Sequence, residues 1–242
     1  MKFLKLFPLA TALLLGSLLS AELAFAGTFS VTPVRIFLQP RDRATAVTFL
    51  NEGDTEVVLQ ADVYDWAQLP NGEDDLKLTE DLIISPPIIK IAPGGKQVVR
   101  LARLSMAPNT AQQTFRLITR EIPEIAAAKT GVKVQIALAL SMPVFVTPAN
   151  AKPVMDCITA KLVGDKVTID CKNTGNSHAQ IRVARLLRDG AEVGKLENGG
   201  YYLAGSQRAF SITQPGFKTG PVLLELQLDD GTLPTFSLTV TP

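Results

Sequence analysis

Residues 131–148, GVKVQIALALSMPVFVTP, constrain the fold more than any other stretch. Val132, Val134, Ile136, Leu138 and Leu140 recur at every second position, with Lys133, Gln135, Ala137, Ala139 and Ser141 between them. A period of two sends successive side chains to opposite faces of a strand. Val and Ile also suit a pleated backbone. The stretch therefore reads as one long strand with a row of large apolar side chains on one face. An uncovered edge of this kind invites another chain to pair with it.

The rest of the chain is also β-like. Short apolar runs are separated by Pro, Gly, Asn and Asp, and helical periodicity is almost absent. That spacing predicts sandwiches rather than α/β units. Strands are expected over residues 28–38, 44–50, 57–66, 82–91, 97–101 and 114–121, before the long strand. About seven strands before Pro148 suit an immunoglobulin-type sandwich. Trp66 is placed to pack between its two sheets. Residues 69–81 are polar and acidic and read as a surface loop. Ser85-Pro86-Pro87 marks a bend, a strand switch or a cis bond.

Residues 148–153, PANAKP, have the composition of a linker. Beyond them, residues 158–163 and 166–171 flank Gly164-Asp165 as a hairpin. Further strands are expected over residues 180–187, 208–212, 223–228 and 235–240 and around Tyr201-Tyr202, giving a second small β-sandwich. The organisation read from the sequence is thus a leader over residues 1–26, a first sandwich over 27–148 and a second over 149–242.

The leader has Lys2 and Lys5, an apolar run over residues 6–19, and Ala24-Phe25-Ala26, the small-x-small form that a signal peptidase accepts. Its apolar core is shorter than the roughly 20 residues of a spanning helix. Removing Lys2, Lys5 and Glu22 from 24 basic and 23 acidic residues leaves 22 of each. A balanced charge argues against general affinity for nucleic acid or an acidic membrane surface.

Cys157 and Cys171 are the two cysteines, one on each arm of the hairpin around Gly164-Asp165. An exported chain with an even cysteine count is expected to pair them. Closing such a loop contributes about 3 kcal/mol in the chain-entropy picture. Catalytic chemistry has little to stand on. The single histidine, His178, falls in a turn-like NTGNSH run, and there is no GxSxG elbow and no zinc ligand set. Asp74-Asp75 and Glu80-Asp81 lack the spacing of a calcium loop. No enzyme, metal or cofactor is expected.

Four pieces together resemble the PapD-like periplasmic chaperones of chaperone–usher pilus assembly. They are Val31-Thr32-Pro33-Val34-Arg35-Ile36; Ser85-Pro86-Pro87 with the run from Ile91 to Gly95 and Val99-Arg100-Leu101; Arg120-Glu121-Ile122-Pro123; and the alternating strand running into Pro148. FRLITREIP and SMPVF look more like the divergent branch serving spore-coat-U-like subunits. The resemblance implies two immunoglobulin-like sandwiches at an angle with a cleft between them. It implies a protein that binds, folds and caps pilus subunits in the periplasm, lends them an edge strand, and delivers them to an outer-membrane usher.

The lent strand would carry Val132, Val134, Ile136, Leu138 and Leu140. Free copies would associate through the same edge. The family also grips the subunit's C-terminal carboxylate with two basic residues. Arg35 matches the first, whereas Pro143 stands where the family has a lysine. Arg116 is the candidate substitute. Alternation puts Phe115, Leu117 and Thr119 on one face of its strand and Arg116 on the other. Each arginine has a plainer alternative, a surface charge or an internal ion pair. Competing readings of the chain are a structural pilus subunit or adhesin and a secreted sugar-binding sandwich. The first would need an N-terminal donor extension, and the second a polar site.

Overall fold

The structure, a computed structural model, describes residues 29–69, 71–123 and 137–242. Every regular element among them is a strand. Ten lie before residue 147: β1 (Phe29–Thr32), β2 (Ile36–Leu38), β3 (Ala44–Asn51), β4 (Val57–Gln68), β5 (Asp74–Leu78), β6 (Leu82–Ser85), β7 (Ile88–Ile91), β8 (Lys96–Arg103), β9 (Gln113–Glu121) and β10 (Ala139–Val146). One sheet has the order β1-β3-β8-β6. The other has the order β2-β10-β9-β4-β5, with β7 on β4 beside β5. Their inner faces enclose a core that includes Ile36, Phe49, Leu59, Leu101, Leu117 and Val144.

Seven expected strands become ten for definite reasons. Residues 28–38 were expected as one strand but form two, in different sheets, with the cis Thr32–Pro33 bond between them. Residues 82–91 likewise divide between the sheets at the cis Ser85–Pro86 bond, so the strand switch and the cis bond both hold. A proline has no N–H for a ladder, which makes it a natural crossing point. The acidic loop expected over residues 69–81 contains β5, which pairs with β4 from Tyr64↔Leu78 to Gln68↔Asp74. Its charged side chains stand on a mostly exposed edge strand, where they discourage further pairing.

The second set of strands comprises β11 (Met155–Val163), β12 (Lys166–Asn173), β13 (Ala179–Arg188), β14 (Ala191–Tyr202), β15 (Gln207–Thr213), β16 (Gly220–Leu228) and β17 (Thr235–Thr241). They form one sheet in the order β14-β13-β16-β17-β11-β12-β15. Its two end strands, β14 and β15, pack on each other, so the sheet curls around its own core. That core includes Tyr202, Ile169, Ile181, Leu186, Leu224 and Leu226. Cys157 and Cys171 are directly paired across β11 and β12 and joined as a disulfide.

One device recurs in both sets although the sequence shows no longer repeat. Asn51 ends β3 and Asn173 ends β12, each followed by x-Gly, and both side chains are fully buried. Asn51 Nδ2 donates to Thr55 O and Ile91 O, and its Oδ1 accepts from Gly53 N. Asn173 Nδ2 donates to Ser177 O and Tyr202 O, and its Oδ1 accepts from Val154 N and Gly175 N. A side chain at Gly175 would collide with the backbone of Lys152 and Val154. The segment leaving β10 is thereby strapped to the second sheet.

Candidate functional site

The β10–β9–β4 sheet is where the sequence-derived residues meet, the apolar row in line with its core face and the arginines on its outer face. Along β10 the even-numbered side chains Met142, Val144 and Val146 enter the first core. Leu140 and Leu138 continue that row outward; Leu140 is half-buried and Leu138 is 39% exposed. Val132, Val134 and Ile136 lie outside the described residues.

Backbone directions follow from two hydrogen bonds. Leu138 O accepts from Glu121 N, so even-numbered backbone groups of this strand address β9. Thr147 N donates to Leu38 O, so odd-numbered groups address the opposite edge. There β2 covers only Val144 to Val146. Among the described residues, the backbone groups of Ala139 and Ser141 on that edge have no strand beside them. Pro143 is odd-numbered, so its missing N–H removes nothing from the β9 ladder.

Pro143 pairs with Arg116 on β9, and Arg35 precedes β2 by one residue, one step before Ile36↔Val144. The three residues form a row across the sheet, with an arginine on each side of the proline. Neighbouring strands are about 4.8 Å apart, so the two arginine backbones are separated by roughly 10 Å. Phe115 and Leu117 face the core, as alternation requires, and Arg116 faces away. Arg100 lies on the outward face of the other sheet.

Arg116 lies over the Trp66 ring, 3.7 Å from its centroid, and Nη2 is 3.4 Å from Asp74 Oδ2. Burial lowers its pKa, while Asp74 and Tyr201 oppose the shift. A guanidinium so placed remains charged. Trp66 was expected between the two sheets of the first sandwich. It packs instead on their outside, in a small cluster with Phe145, Leu203 and Tyr201 that joins the first sandwich to the second. Alternation itself puts it there: Val57, Leu59, Ala61 and Val63 face the core at odd positions, and Trp66, at an even one, points to the other face, where residues of the second domain bury it.

The family model for pili and flagellar-assembly chaperones, PapD N-terminal domain, matches residues 28–152, just over half of the chain. The chain belongs to this family. It is a chaperone of pilus assembly built from two immunoglobulin-like domains.

A search of curated proteins finds no match. Solved structures do match. A chain of the CsuC–CsuE chaperone–tip adhesion subunit pre-assembly complex, from the archaic chaperone–usher Csu pili of Acinetobacter baumannii, is 24% identical with a TM-score of 0.65, covering 89% of this chain and 100% of that one. The CupB2 chaperone of Pseudomonas aeruginosa is 18% identical with a TM-score of 0.55, over 87% and 100% of the chains. The E. coli chaperone DraB is 18% identical with a TM-score of 0.55, over 86% and 94%. At these identities the likeness is one of fold.

In this chaperone Arg35 reaches the second domain. Its Nη1 donates to Asp229 Oδ2 at 2.9 Å and to Gln180 Oε1 at 3.2 Å. This is the internal ion pair that the sequence left open as an alternative for Arg35, and Asp74 supplies one for Arg116. His178 does lie in a loop, just before β13, but its side chain is only 9% exposed. Its ring stacks on Phe145 at 3.8 Å, inclined by 8°. Nδ1 lies 2.7 Å from Gln112 Oε1, and Nε2 lies 3.9 Å from Asp229 Oδ2. Burial lowers the His178 pKa, and Asp229 opposes the shift more than any other charge. Gln68 bridges the domains as well, donating to Tyr201 O and accepting from Leu203 N.

Sequence reasoning missed Phe145, Tyr201, Leu203 and Asp229. One signal was present. Met142 to Val146 is apolar at five consecutive positions, the mark of a strand buried on both faces. Asp229 had none, because its role depends on where a β16–β17 turn meets the first domain.

Proposed function

We propose that this chaperone is exported to the periplasm by residues 1–26, lends the segment running into β10 to a pilus subunit, and hands the subunit to an outer-membrane usher. Val132, Val134, Ile136 and Leu138 fill successive pockets of the guest, with Leu140 next in the row as a fifth, and Arg35 and Arg116 bind its terminal carboxylate. Strand addition is a recognised mode in which backbone hydrogen bonds give affinity and alternate side chains give specificity. The observation that carries the reading is the free edge of β10 beyond β2, with an apolar row stepping out from the chaperone's own core. The domain boundaries at residues 148–149 follow from the same reading. No step of it calls for catalysis or a cofactor.

Burying each large apolar side chain contributes about 1.5–3 kcal/mol. Four such residues give roughly 6–12 kcal/mol, against association and ordering costs of several kcal/mol. The balance suits a guest that is held and later surrendered. A guanidinium engages a carboxylate through two parallel hydrogen bonds, and Trp66 beneath Arg116 keeps that fork flat.

The test is co-purification from the periplasm with a subunit encoded beside the chaperone gene. A charge at the centre of the lent face has no place in an apolar pocket. Wild type should retain the subunit, and folded Ile136→Asp and Leu140→Asp should not. Equal retention by all three would overturn the strand assignment.

A further inference from the structure

The Arg35 contacts with the second domain admit two opposite meanings, a block or a clamp. Arginine has five N–H donors on three nitrogens. Among the described residues only Nη1 is engaged, by Asp229 and Gln180 together. The Nε–Nη2 edge has no protein partner there, and the Arg35 side chain is 35% exposed. That edge is the one that meets a carboxylate through two parallel bonds.

The partners are themselves fixed. Asp229 Oδ1 accepts from Gln180 N at 3.2 Å, and Asp229 N donates to Gln180 O at 3.0 Å. The Asp229 side chain is 15% exposed, with His178 Nε2 3.9 Å from the same Oδ2. A flexible arginine is thus clamped at one end by a rigid pair from the other domain, while its fork remains open.

We infer that Asp229 is a positioning residue for the carboxylate anchor: with Gln180, it holds Arg35 Nη1 so that the Nε–Nη2 edge is presented to the last residue of a guest. The inference rests on Arg35 being that anchor. It makes the anchor a product of both domains, since β2 brings Arg35 and the β16–β17 turn brings its clamp. Asp229 acts through Arg35 and does not touch the guest.

The probe is N-acetyl-alanyl-alanine, as free acid and as amide, titrated against the full mature chain while the side-chain Nε–H resonance of Arg35 is followed. In wild type the acid should shift that resonance and the amide should not. Asp229→Ala should weaken acid binding roughly three- to tenfold, the cost of ordering one long side chain on binding, and should broaden the Arg35 resonance. Asp229→Asn, which keeps an oxygen facing Nη1, should recover at least half of the loss. A purely structural role would not show that rescue at unchanged Trp66 emission.

Acid binding by Asp229→Ala as tight as wild type, or tighter, would overturn the clamp. Undiminished binding by Arg35→Ala would instead overturn the anchor reading itself, and the clamp with it. Reduced binding in Arg35→Ala beside unchanged binding in Asp229→Ala would sink the clamp alone. Should Asp229→Ala not fold, Gln180→Ala removes the other Nη1 partner and serves for the same comparison.

Discussion

Replacing Phe145 by Ala should uncouple the two domains before it unfolds either. Phe145 is fully buried, yet it belongs to neither main core. Its ring lies 3.8 Å from His178, 5.3 Å from Phe37, 6.0 Å from Tyr201 and 6.1 Å from Trp66. Truncating a buried phenylalanine costs about 3–5 kcal/mol. With a urea dependence of about 2 kcal/mol per molar, the midpoint should fall by roughly 1.5–2.5 M. The chain contains one tryptophan, Trp66, in this same cluster, so its emission reports the junction. A two-domain chain need not unfold in one step. Urea unfolding should therefore be followed by tryptophan emission and by far-ultraviolet circular dichroism together. The emission transition of Phe145→Ala should precede loss of strand signal, while Phe145→Leu should cost less than about 1.5 kcal/mol. If both transitions of Phe145→Ala stay within about 0.3 M of wild type, the cluster does not join the domains and the reasoning fails.

Other substitutions probe the same face. Arg116→Lys keeps the charge but loses the planar stack on Trp66 and the two-point grip. Subunit affinity measured by calorimetry should fall about 10–100-fold, as a desolvated cation–π contact worth about 2 kcal/mol suggests. Gln68→Ala leaves the Leu203 amide without its partner in the first domain. It should lower unfolding free energy by about 1–3 kcal/mol, read from urea midpoints. His178 is held below its ordinary pKa by burial, so the unfolded chain takes up the proton first as pH falls. The stability it contributes is complete above about pH 6.5 and is lost as pH drops from there to the lowered value. Thermal midpoints of His178→Gln should lack that slope; an unchanged slope would assign it to another group.

Much of this architecture was legible in the sequence because alternation is a strong signal. It gave the part of the long strand that is β10, the inward set Phe115 and Leu117, and so the outward direction of Arg116. The proline pair announced a strand switch, and the Gly164-Asp165 turn with its flanking cysteines announced the stapled hairpin. Where the reading failed, tertiary context decided. β5 is a strand because β4 offers it an edge, not because Asp74-Asp75-Leu76-Lys77-Leu78 favours one. Trp66 is buried on the outer face because a second domain lies against the sheet there. Asp229 and Asp74 became partners of arginines more than 40 positions away in the chain, a juxtaposition that no local pattern encodes.

Pro143 has a consequence for how a guest would be measured. A strand added along the free edge of β10 finds backbone partners at Ser141 and Ala139, then meets a residue with no N–H to offer, just where β2 begins. The ladder has to stop there. On the anchor proposed above it would stop between the two arginines, so the guest's final carboxylate and the end of its pairing would coincide at one point. Alignment is then counted backwards from the guest's last residue, two positions per pocket, as on a ruler whose zero is Pro143. A guest one residue longer or shorter at that end would turn its whole apolar row to the wrong face.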